Sequence, residues 1–217
     1  IDLRDGDTLV DVKYTDGTAK ICLGSSKGKL CEFDENEVRA MGRTAAGVKG
    51  MTLEEDSYIV GLATTLEGDK ILSVSENGLG KLTPIEEYRL TRRGSKGVIT
   101  MRLTEKTGDL ITVTAVKGDE NLLISTDAGT IIKTSITQIS SFGRNSSGVK
   151  LITLRDQEKI ASFTVEPNVE HALEEMATEE ENSPSEAKAT NEVKEENDEV
   201  DLDEDLEIQE TGDDDEI

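Results

Sequence analysis

An all-β fold of propeller-like blades is the architecture this sequence predicts, on three observations. Two independent markers recur with one period of about fifty residues. Each period holds four short segments of strand character separated by turn residues. Before residue 167 no segment sustains the 3.6-residue periodicity of an amphipathic helix.

The first marker is the frame "RTAAGVKGMTL", "RGSKGVITMRL" and "RNSSGVKLITL", starting at Arg43, Arg93 and Arg144. Each has Arg, three residues, Gly-Val, four residues and Leu, in steps of 50 and 51 residues. The second marker is the turn sequence "SSKG", "SENG" and "TDAG", ending at Gly28, Gly78 and Gly129 with the same steps. Ten residues after each glycine stands an apolar side chain: Val38, Tyr88 and Ile139. Self-similarity at such a period marks a repeat architecture.

The expected strands follow in order. The first period supplies residues 9–14, 19–24, 29–33 and 47–53; the second 58–64, 70–75, 80–83 and 97–103; the third 110–116, 121–126, 130–134 and 148–154. Val, Ile, Leu, Thr and Ala dominate them, as a core with three Phe, three Tyr and no Trp requires. Asp16-Gly17, Ser26-Lys27-Gly28, Asn77-Gly78 and Asp127-Ala128-Gly129 are the turns between them. Four strands per fifty residues match propeller blades, whereas a β-sandwich leaves the fixed period unexplained. Residues 1–166 are thus expected to hold three full blades plus edge strands of neighbours. Residues 1–3 read as the end of a preceding strand and 159–165 as the start of a further blade, so the chain reads as part of a larger propeller.

The formal net charge of −23 is unevenly spread. Residues 1–165 hold 22 basic and 24 acidic side chains, whereas residues 166–217 hold 2 and 23. The region from 167 to 217 therefore reads as a disordered acidic tail, too polar to offset its ordering entropy. A short helix over 169–180 is expected within it, with Asn168 as a cap and Val169, Ala172, Leu173, Met176 and Ala177 on one face. A tail of this charge is also expected to compete with any other polyanion for basic residues elsewhere in the chain.

Composition excludes several classes. No apolar run reaches 18 residues, so no membrane-spanning helix is expected. His171, in the tail, is the only histidine, so no histidine-based triad or metal site is expected in residues 1–165. No Walker A sequence occurs. Catalytic, cofactor and metal residues are accordingly expected to be none. Cys22 and Cys31 read as two thiols on neighbouring strands, directly opposite each other if the turn centres on Ser26-Lys27.

Against this background "YRLTRRGSKGVIT", residues 88–100, is an unusually basic stretch. Arg89, Arg92, Arg93 and Lys96 place four cations within eight residues. Arg43, Arg93 and Arg144 share one repeat position, and Lys49 and Lys150 recur six residues later, so a propeller sets them at equivalent points around its edge. Cations in that arrangement suit the phosphates of a nucleic-acid backbone. Gly94 and Gly97 are expected to let backbone N–H groups join the contact. No recognition helix, zinc spacing or stacking aromatic points to base readout. Bending a site of 20–30 base pairs costs on the order of 1–6 kcal/mol, which several such contacts can offset. The other reading of the repeated Arg is structural, a guanidinium tying an inter-blade loop to a carbonyl or carboxylate. The functional alternatives are a DNA-binding module and a propeller-type platform for protein partners.

These residues resemble the C-terminal domain of the DNA gyrase A subunit over roughly residues 1–165. "EVRAMGRTAAGVKGM", "SENGLGKLTPIEEYRLTRRGSKGV" and "TEKTGDL" carry the resemblance most specifically. It implies a β-pinwheel, a propeller relative with exchanged outer strands, that binds and bends duplex DNA around its rim. The family's wrapping motif is Gln-Arg-Arg-Gly-Gly-Lys-Gly in the first blade. Residues 91–97, "TRRGSKG", are the nearest match and depart from it at Thr91 and Ser95. The related C-terminal domain of topoisomerase IV has similar blades without a good motif. The resemblance also implies partners and place: the rest of the gyrase A chain, a gyrase B subunit in an A2B2 assembly, and the cytoplasm with the chromosome. ATP and Mg, like the DNA-cleaving tyrosine, would then act elsewhere in the holoenzyme.

Overall fold

The computed structural model describes residues 1–168. Eleven strands build three antiparallel sheets. The first has the order β3 (Ile59–Thr64), β1 (Lys20–Ser25), β2 (Lys29–Asp34), β6 (Val98–Ile99). The second runs β7 (Leu110–Val116), β4 (Lys70–Ser75), β5 (Leu79–Pro84), β10 (Val149–Lys150). The third is β11 (Ile160–Glu166), β8 (Asn121–Thr126), β9 (Ile131–Ser135). One 3-10 turn follows each hairpin, at Glu35–Glu37, Ile85–Glu87 and Ile136–Gln138.

The sequence period and the sheet are therefore out of phase. Each sheet takes its central hairpin from one repeat and its flanking strands from the next. β3, from the second repeat, lies beside β1, and β6, from the end of that repeat, pairs with β2. Backbone groups become strand only where a ladder partner stands opposite. Residues 9–14 and 47–53, expected as strands, find no such partner among the described residues and are irregular.

The hairpin register corrects the expected cysteine pairing. Leu23 stands opposite Cys31 and Cys22 opposite Glu32. Gly28, at φ +75°, closes the turn with its N–H on Ser25 O at 3.0 Å, adding one residue to the loop. That single residue sends the two cysteines to opposite faces of the sheet. Both are free and buried, Cys22 in the core between the first two sheets and Cys31 in a small outer cluster with Phe33 and Met51.

The sheets stack face to face. Cys22, Leu30, Val60 and Ala63 of the first meet Ile71, Leu110, Val113 and Ala115 of the second, with Ile85 and Tyr88 beside them. Leu72, Val74 and Leu82 of the second meet Leu122, Ile124 and Ile160 of the third. β4 is buried on both faces: Ile71, Leu72 and Val74 are fully buried, and so are Ser73 and Ser75. Tyr88 and Ile139 fill these cores from the shared repeat slot, whereas Val38 is partly exposed. Burial pushes the Tyr88 phenol up to about 12, and its hydroxyl shares a 2.5 Å hydrogen bond with Thr100 Oγ1.

Candidate nucleic-acid interface

The outer edge of each four-stranded sheet is a two-residue strand preceded by a loop that holds the repeated arginine. In the first sheet this loop spans 91–97, the heart of the basic stretch. Thr91 N donates to Glu32 O at 2.8 Å, Gly94 N to Gly50 O at 2.7 Å, and Thr52 N to Ser95 O at 2.8 Å. Beneath the loop Cys31 Sγ lies 3.0 Å from Ser95 Oγ. Gly97, at φ +70°, delivers the chain to β6; a Cβ there would stand 2.4 Å from Leu30 O.

The loop over 142–148 repeats this construction on the second sheet. Phe142 N donates to Leu82 O at 2.9 Å and Arg102 N to Ser146 O at 3.1 Å. At Gly148, φ +76°, a Cβ would stand 2.5 Å from Gly80 O. Here the position of Cys31 is taken by Lys81, fully buried, whose ammonium donates to Gly143 O at 2.6 Å and Arg144 O at 2.9 Å. Desolvation is the main cause that lowers its pKa to about 8, and the neighbouring Glu87 carboxylate partly opposes it.

The repeated arginines are themselves fastened to the backbone. Arg93 Nη1 donates to Lys49 O at 2.6 Å and Nε to Glu37 O at 3.2 Å. Arg144 Nη1 donates to Ile99 O, the equivalent atom one repeat on, at 3.2 Å. Both side chains are half-buried. This is the structural reading of the repeated Arg, realised at two of its three positions. Arg43, in the first repeat, is exposed. The expected use of the loop glycines also changes. Gly94 N–H is taken by Gly50 O and Gly97 N–H by Ser95 Oγ at 3.2 Å, so these amides serve the loop.

What the 91–97 loop and the segments flanking both loops leave outward is cationic. Arg89, Arg92, Lys96, Lys49 and Lys150 are exposed, and Lys49 sits on the segment stitched to the 91–97 loop. Among the described residues none of the eight site residues forms a side-chain ion pair with a carboxylate within 4 Å, although Glu37 and Glu87 accept the backbone N–H groups of Arg93 and Arg144. Six other lysines form such pairs: Lys13, Lys20, Lys27, Lys29, Lys133 and Lys159. The carboxylates of Asp16, Asp69, Glu86, Glu105, Asp119 and Asp127 lie on turns at the two ends of the sheets. The edge between those ends carries Arg92, Lys96, Lys49 and Lys150, with the Glu37 and Glu87 carboxylates turned onto the loop amides of Arg93 and Arg144.

Two exposed arginines join this edge. Arg39 occupies the repeat position of Arg89, a signal legible in the sequence. Arg102 is placed beside the Arg144 loop by its own main chain, since Ser147 Oγ donates to Arg102 O at 2.7 Å. No sequence spacing announces that contact.

Comparison with known proteins gives a consistent family. A family model described as "DNA gyrase C-terminal domain, beta-propeller" matches residues 19–65, 69–117 and 120–165. The chain is 46% identical over 179 residues to the DNA gyrase A subunit of Ureaplasma parvum serovar 3, covering 81% of this chain and 21% of that protein. Identity to the corresponding Staphylococcus aureus protein is 41% over 187 residues, with 85% and 21% covered. The chain thus spans about a fifth of the length of these curated relatives. Among solved structures, a DNA gyrase A C-terminal domain superposes with a TM-score of 0.71 at 26% identity, covering 76% of this chain and 56% of that one. The C-terminal domain of a DNA topoisomerase IV superposes at 0.70 and 25% identity, covering 80% and 57%.

Proposed function

Because the chain belongs to the DNA gyrase C-terminal β-propeller family, we propose that its blades bind duplex DNA along their outer edges and bend it, as the DNA-wrapping part of a bacterial gyrase. One observation carries this reading: Arg89, Arg92, Lys96, Lys49 and Lys150 are exposed on or beside the edge loops, and none of these side chains forms an ion pair with a carboxylate within 4 Å among the described residues. Cations on a curved edge neutralise successive phosphates and release counterions without reading bases. On this reading strand cleavage and ATP-driven supercoiling belong to the rest of the gyrase A chain and to a gyrase B subunit, in an A2B2 assembly on the chromosome in the cytoplasm. The curated relatives at 41–46% identity are gyrase subunits, which favours gyrase over topoisomerase IV.

The test is an anisotropy titration of the chain with two unrelated duplexes over a range of salt. Similar affinities for both and a steep loss with salt are expected. Replacing Arg92 and Lys96 together by alanine should weaken both duplexes alike and lower the slope of log K against log salt by about two, one unit for each phosphate no longer neutralised. Weak, salt-insensitive binding would instead favour a platform for protein partners.

A further inference from the structure

We propose that Glu37 and Glu87 are positioning residues for the DNA-contacting loops, so that removing the side-chain acceptor that reaches the loop amide weakens DNA binding. This rests on the DNA-binding reading of the same edge. Glu37 Oε2 accepts the backbone N–H of Arg93 at 3.0 Å, and its carbonyl accepts Arg93 Nε at 3.2 Å. One repeat later Glu87 Oε2 accepts the backbone N–H of Arg144 at 3.2 Å. Both glutamates end the 3-10 turns Glu35–Glu37 and Ile85–Glu87, which hold them in place. The first turn is capped by Asp34, whose side chain accepts from Asn36 N at 2.8 Å. The third repeat has Gln138 at this position, which keeps an acceptor oxygen without the charge.

The grip is at the arginine that begins each Gly-Val frame. Arg92 and Lys96 flank Arg93 within the same loop, so an amide pinned at 93 sets the direction of both exposed cations. Coulomb's law alone gives the opposite sign, because a carboxylate beside a phosphate-binding loop repels DNA. The two effects are therefore separable.

Glu37 is the cleaner test, since Glu87 also faces the buried Lys81. The full chain is titrated with a labelled duplex while amide exchange at Arg93 is followed by NMR. Glu37→Ala is expected to weaken DNA binding about three- to tenfold, the size of one ordinary hydrogen bond, and to speed exchange of the Arg93 amide. Glu37→Asp keeps the charge but shortens the reach, and should behave as the alanine variant does. Glu37→Gln keeps the acceptor, and should match or exceed the wild-type affinity with Arg93 still protected. Equal or tighter binding by Glu37→Ala, or loss of affinity in Glu37→Gln, overturns the proposal. If the wild-type chain binds no duplex, the DNA reading fails instead, and Arg93 exchange in the three variants still decides whether Glu37 positions the loop.

Discussion

Arg93 and Arg92 are neighbours with different work. Arg93 commits its guanidinium to the carbonyls of Glu37 and Lys49, while Arg92 is exposed. A double change of both arginines would mix loss of loop structure with loss of phosphate binding, which is why Arg92 and Lys96 form the informative pair. Lys81 gives a second residue-scale test. Its ammonium titrates near 8 in the folded chain and near 10.5 when solvated. Between those values the unfolded chain binds more protons, so stability contributed through Lys81 rises with pH across that window. Below about 8 both states are charged and the cost of burying the cation is fully present. The melting temperature of the wild type relative to Lys81→Met should therefore increase between pH 7.5 and 10. A flat difference would mean that the amine is not desolvated.

At the scale of elements, the short outer strands depend on glycine. Gly97 has positive φ and no room for a Cβ, because Leu30 O would lie 2.4 Å away. Gly47, its counterpart in the first repeat, has φ +82° with nothing within 4 Å. Gly47→Ala therefore meets only backbone strain, about 1–2 kcal/mol. Gly97→Ala adds a clash that must push β6 away from β2, for a loss on the order of 3 kcal/mol. Urea midpoints of the two variants check this; equal losses would show that β6 tolerates displacement. The same element explains what the sequence hid. Residues 97–103 read as a long strand of their own repeat, yet only Val98–Ile99 pairs, and with the preceding hairpin. Periodicity reports which residues alternate and says nothing about which hairpin they will meet.

For the whole molecule, charge is the governing quantity. Residues 166–217 carry −21 beside a nearly neutral blade region, and 169–217, with the helix expected over 169–180, lie outside the described residues. A tethered polyanion stays at high effective concentration near the cationic edge. Deleting residues 168–217 should raise DNA affinity at low salt, with the gain shrinking above 0.1 M as the Debye length falls below about 10 Å. Equal affinities at low salt would exclude competition, and weaker binding after truncation would show that the tail supports the DNA-bound state. Nothing long and apolar enough to cross a membrane as a helix occurs among the described residues.

The all-β class, the fifty-residue period, the turn glycines and the cations at equivalent positions were determined by sequence alone. Each is a local or periodic property, written in residue types and their spacing. Three matters waited for the tertiary structure. One residue in the Ser25–Gly28 turn put Cys22 and Cys31 on opposite faces. The exchange of strands between repeats decided which segments became sheet. The docking of each loop on the preceding repeat separated arginines that clasp carbonyls from cations that face outward, and placed Lys81 beneath Arg144. All three depend on hydrogen-bond partners some forty to sixty residues apart or on the register between strands, where residue spacing carries no record of the geometry.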